Sequence, residues 1–187
     1  VAPAAFSLAM QMLFIGGVVI WALGMSTQTL YPNSVAKCEE KDREVYVKSL
    51  IKRLLGRGFG IGTVISCIQA LFIPFVLRST PIAEVREAAL FPMMVVVAFQ
   101  GIQGIVSVGE GIMVGDGKFS LASIVIVFAS IGYMACLQSF PKSWGINGVF
   151  TALGVFTLLR LTGIAIFLPS IINHHVLPRT NVHEKKV

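Results

Sequence analysis

Gln100, Gln103, Ser107 and Glu110 recur at intervals of three or four along an otherwise apolar stretch. On a helix at 100° per residue they fall within about 80° of one another, a narrow polar stripe that ends in a carboxylate. Polar groups are costly in hydrocarbon, so the stripe is expected to face protein or a water-filled cavity. There the glutamines and Ser107 could hydrogen-bond an organic solute, and Glu110 could carry a proton or a cation. The competing reading is structural. Glutamines also join membrane helices by hydrogen bonds, and Glu110 lies close enough to the following glycine-rich turn to sit at headgroup level.

Arg160 is the other polar residue deep in an apolar run. An arginine there needs a partner or a route to water, and pairing with a carboxylate or with helix-end carbonyls is the expected arrangement. Gln11, Gln28, Gln69 and Gln138 are scattered singly, and of these Gln11 and Gln28 are taken as further cavity candidates. Gly111 and Gly115 form a GxxxG pair, and Gly101 and Gly104 lie one turn apart. Small residues at this spacing let helices approach closely, and packing is their expected role. No nucleophile elbow, phosphate-binding loop or metal-ligand spacing is present, so neither catalysis nor a cofactor or metal is expected. His174, His175 and His183 fall in the polar tail and read as surface residues.

The elements that must hold these residues are membrane helices. Hydrophobic residues make up 55% of the 187 and charged residues 13%, against about 25% charged in soluble domains. The mean hydropathy is +0.81. Runs of about 20 largely uncharged residues are long enough to cross a bilayer core of about 30 Å. Five spans are predicted, over residues 3–30, 57–77, 85–114, 119–140 and 146–169, with Tyr31-Pro32-Asn33 closing the first. Residues 45–56 place Val47, Leu50, Ile51, Leu54 and Leu55 on one face and Lys48, Lys52 and Arg53 away from it. This stretch reads equally as an amphipathic helix in the interface or as an extension of the second span. A polar tail is expected from 171 to 187. The odd count of three cysteines, Cys38, Cys67 and Cys136, argues against a disulfide framework.

The basic residues divide unevenly. With five spans, eleven lysines and arginines share one side: Lys37, Lys41, Arg43, Lys48, Lys52 and Arg53, then Arg57, Lys118, Arg179, Lys185 and Lys186. Only Arg78, Arg86 and Lys142 lie on the other. The positive-inside rule then puts the C-terminal tail on the cytoplasmic side or its organellar equivalent. The net charge of +6 thus reflects membrane orientation and not nucleic-acid binding. The chain opens at Val1 inside an apolar run with no charged segment before it, which argues against a signal peptide and for the tail of a longer protein.

Several motifs taken together resemble a known family. Glu110-Gly111-x-x-x-Gly115 followed by Phe119-x-x-Ala122, and Trp144-Gly145-Ile146-Asn147-Gly148 leading to Arg160, resemble the last spans of multidrug and toxic compound extrusion (MATE) transporters. The likeness is to the DNA-damage-inducible branch, which includes plant plastid members. Thr27-Gln28-Thr29-Leu30 before a charged loop, and Lys48 through Arg57 entering a glycine-rich span, resemble the preceding pair. The ordered set covers most of residues 1–170. The chain departs from the pattern at Lys118, where the family usually has an aspartate, and at Phe150, where it has a tryptophan.

The resemblance implies an all-α membrane fold matching the last five of twelve spans. It also implies a missing N-terminal lobe, and exchange of a small organic solute against protons or sodium ions. It further favours a plastid membrane over the plasma membrane. The alternative expectation is a non-transporting accessory subunit of a larger photosynthetic or respiratory membrane complex, derived from a half-transporter. In both cases the partners are the lipid bilayer and other membrane segments.

Overall fold

A computed structural model describes residues 1–39 and 43–176. The described residues are almost wholly helical, in α1 (Ala2–Ala36), α2 (Arg43–Ser79), α3 (Ala83–Gly115) and α4 (Phe119–Val176). All four helices are long and apolar enough to cross a membrane.

The centre of the molecule is α3. In its most apolar 18-residue stretch 50% of the residues are buried, against 22% in α1 and 17% in each of α2 and α4. It packs against all three other helices. Two apolar clusters mark the ends of the bundle. One joins Tyr31 and Val35 of α1 to Val47 and Ile51 of α2, Ile112 and Met113 of α3, and Ile171 of α4. The other joins Ala5 and Ala9 to Ile73, Val85, Met93 and Phe150. Successive helices therefore run up and down the bundle. The large side chains on the outside, among them Ile15, Trp21, Leu71, Phe75 and Phe128, are apolar, as a lipid-facing surface requires.

At Gly145 (φ 54°, ψ −131°) α4 is broken. Only glycine adopts this conformation without a steric cost, and the chain doubles back there. Val125 lies against Gly163 and Leu159 against Gly132. Tyr133 and Phe156 have ring centroids 5.6 Å apart, and Lys118 Nζ donates to the Ser170 carbonyl at 3.2 Å. Residues 119–144 and 146–176 are thus two antiparallel limbs.

The first and last boundaries differ from the sequence expectation, and the start of the second span, open there between two readings, is decided. Proline was expected to close the first span, yet α1 continues through Pro32 to Ala36. The carbonyl of Gln28, which Pro32 leaves without its helical donor, faces Gly115, where a Cβ would lie 2.8 Å away; only a glycine leaves room for it. The 45–56 stretch is continuous with the second span: α2 runs unbroken for 37 residues, and its apolar face is buried in the cluster around Val47 and Ile51. The helix also passes the expected tail boundary at 171, because Ile171 is fully buried and anchors the last turns. Residues 177–187, with Arg179, His183, Lys185 and Lys186, and the side chains of His174 and His175 lie outside the described residues, as does Lys41.

Candidate functional site

Two glycine seams hold α3 to its neighbours. Gly58 and Gly62 of α2 meet Gly104 and Gly101 of α3, so closely that a Cβ on Gly62 would lie 2.6 Å from the Gln100 carbonyl oxygen. Toward α1, a Cβ on Gly111 would lie 2.5 Å from the Gly24 carbonyl oxygen. Backbone rests on backbone in both seams, and side-chain hydrogen bonds reinforce them. Ser66 Oγ donates to Val97 O at 2.6 Å, and Ser107 Oγ donates to Ile20 O at 3.0 Å. Between α2 and α1 themselves, Gln69 Nε2 donates to Met12 O at 2.6 Å.

On the remaining side α1 and the second limb of α4 stand apart, and a cavity of about 210 Å³ opens between them over α3. Leu13, Phe14 and Gly17 form the α1 wall, and Phe150, Leu153, Gly154 and Phe156 form the α4 wall. Val95, Val96, Phe99, Gln100 and Gln103 form the floor. The rings of Phe6 and Phe150, with centroids 5.7 Å apart, bridge α1 and α4 near one end of the cavity. Toward the other end Arg160 lines the cavity and grips Glu110 with two hydrogen bonds, Nε to Oε1 at 2.8 Å and Nη2 to Oε2 at 2.6 Å. Its guanidinium lies 5.2 Å from the centroid of the Phe156 ring. The pair is largely buried, with side-chain exposures of 14% for Arg160 and 18% for Glu110. A fork-to-fork pair of this kind satisfies both charges at once.

The polar stripe therefore divides by task. Gln100 and Gln103 line the cavity. Ser107 is spent on α1, and Glu110 is spent on Arg160. Of the other candidates, neither Gln11 nor Gln28 lines the cavity. Gln11 is exposed, and Gln28 packs its backbone against Gly115 toward the opposite end from Phe150. The four glycines Gly101, Gly104, Gly111 and Gly115 all stand at close backbone approaches.

Gln69, one of the single glutamines and not among the cavity candidates, has a place here. It is 5% exposed, and its amide and that of Gln100 crowd the same glycine, Gly16, at the junction of α1, α2 and α3. Gln69 Oε1 and both polar atoms of Gln100 are buried without a hydrogen-bond partner among the described residues. The signal was available: Gln69 falls on the helical row of Gly58, Gly62 and Ile73, which is the buried face of α2. The phenylalanine walls carried no comparable signal, because phenylalanines also cover the outer surface.

Set against protein-family models, curated proteins and solved structures, the chain matches none of them.

Proposed function

We propose that this chain is the solute-binding lobe of a MATE-like secondary antiporter. It would export a small organic solute in exchange for protons or sodium ions. The observation that carries the reading is the cavity over α3: it is walled by aromatic and aliphatic side chains and equipped with a few polar groups, Gln100, Gln103 and Arg160. Small-molecule sites have this makeup, apolar walls for affinity and a few polar groups for orientation. The ordered motifs around Glu110, Gly145 and Arg160 support the same family. With the two limbs of α4 counted separately the lobe would cross the membrane five times. The side rich in lysine and arginine would then be cytoplasmic or its organellar equivalent, and a plastid membrane is the favoured location.

In this reading the cavity is one wall of a central chamber whose other wall belongs to a second lobe, and alternating access comes from rocking one lobe against the other. The Glu110–Arg160 pair fixes the cavity end of the last limb. The test is flux in proteoliposomes holding the full protein, with imposed proton or sodium gradients and a panel of fluorescent organic solutes. Gln103→Ala and Glu110→Gln should impair efflux while membrane insertion stays intact. Unchanged efflux in both would remove the cavity from the transport path. Absence of flux, with co-purification in fixed stoichiometry with a large membrane complex, would replace transport by the accessory-subunit role.

A further inference from the structure

The cavity's unused hydrogen-bonding capacity is lopsided. Arg160 commits Nε and Nη2 to Glu110, and among the described residues Nη1 makes no hydrogen bond. Gln103 likewise makes none. The hydroxyl proton of Thr157 is already given to Leu153 O at 3.2 Å. Among the described residues no carboxylate lines the cavity, since Glu110 itself is not among the lining residues. What remains on offer is the Nη1 edge of Arg160 and the carboxamide of Gln103, both on the cavity lining, with Gln100 at the floor. Around them stand the rings of Phe14, Phe99 and Phe156.

An organic ammonium would find no unpaired carboxylate here, because both oxygens of Glu110 are already held by Arg160. An oxygen acceptor would find charge-assisted donors at one end and ring faces along its body. A cavity of about 210 Å³ is smaller than the roughly 300 Å³ of drug-sized pockets, which limits the occupant to one or two rings. We propose that this cavity binds a planar aromatic solute, neutral or anionic, with a carbonyl or carboxylate oxygen held by Arg160 and Gln103 and its rings among the phenylalanines. The inference deepens the antiporter reading by naming the substrate class of the same site.

Gly17 supplies a clean block. It lines the cavity, and a Cβ there would meet nothing within 4 Å, so a larger side chain starts into open space at that wall. Gly60 is equally open but does not line the cavity, and serves as the control. The experiment is equilibrium binding to the full protein in lipid nanodiscs, using three probes with one naphthalene body: 2-naphthamide, 2-naphthoate and 2-naphthylmethylammonium. The amide and the carboxylate should bind at least about tenfold more tightly than the ammonium, and Gln103→Leu should weaken both by about tenfold. Gly17→Leu should abolish binding, and Gly60→Leu should leave it unchanged. Equal or tighter binding of the ammonium, or binding that survives Gly17→Leu, overturns the proposal. Flux separates this proposal from the antiporter reading. Naphthoate binding without transport upholds the ligand class and removes antiport. Transport of ethidium that Gly17→Leu blocks, with no naphthamide binding, upholds antiport and overturns the ligand class.

Discussion

Toward α2, α3 presents Gly101 and Gly104, and Gly62 and Gly58 come to meet them until backbone lies on backbone. Between α1 and the second limb of α4 the same helix presents Phe99, Gln100 and Gln103, and there those two helices stand apart from each other around a cavity. In lipid the apolar effect that drives soluble folding is weak between helices, so close van der Waals contact and hydrogen bonds must hold the bundle together. The glycine seams toward α2 and toward α1 supply that contact. They leave the stretch between α1 and the second limb of α4 free to stay loosely filled, which is what a binding site needs. Rigidity and vacancy are thus assigned to adjacent sides of one helix.

The sharpest way to break this comparison is to put the same side chain on both sides. Gly104→Leu drives a side chain into the Gly58 backbone and should cost about 3 kcal/mol or more, read as a lowered unfolding midpoint in detergent. A fall no larger than that of surface variants would show that the seam is not what holds α2 to α3. Next in size is Arg160→Gln, which leaves Glu110 buried without its partner and should cost about 3 kcal/mol. The double variant Glu110→Gln with Arg160→Gln should recover most of that loss, and a double-mutant cycle with no coupling would sink the structural role of the pair. Ser107→Ala removes one interhelical hydrogen bond to Ile20 and should cost only about 0.6 kcal/mol. A much larger loss would move Ser107 from packing to function. Smallest of all is Gly17→Leu, within about 0.5 kcal/mol of the parent, because its side chain enters open space. Stability that drops as far as in Gly104→Leu would mean the cavity is not there to be filled.

Much of this was legible in the sequence, for reasons tied to particular residues. The helical period placed Gln100, Gln103, Ser107 and Glu110 on one side of α3, and they do share it. The spacing of Gly101, Gly104, Gly111 and Gly115 pointed to packing, and backbone approaches are found at all four. Arg160 in an apolar run called for a partner, and a bidentate carboxylate meets it. Other features depended on the neighbour across the gap. Pro32 reads as a helix stop until Gly115 is seen to make room for the Gln28 carbonyl. Gln11 and Gln28 read as cavity groups until the phase of α1 sets Leu13, Phe14 and Gly17 there in their place.

By itself, then, the sequence determined that this is a bundle of long apolar helices with a polar stripe on its third helix and a charged residue late in its last. Composition and period suffice for that, because they act along one helix at a time. Only the tertiary structure decided which polar groups are consumed and which stay available. Ser107 and Glu110 find partners on α1 and α4, while among the described residues Gln103 and Nη1 of Arg160 do not. Hydrogen-bond satisfaction is a property of pairs brought together by folding, and no periodicity within a single helix encodes it.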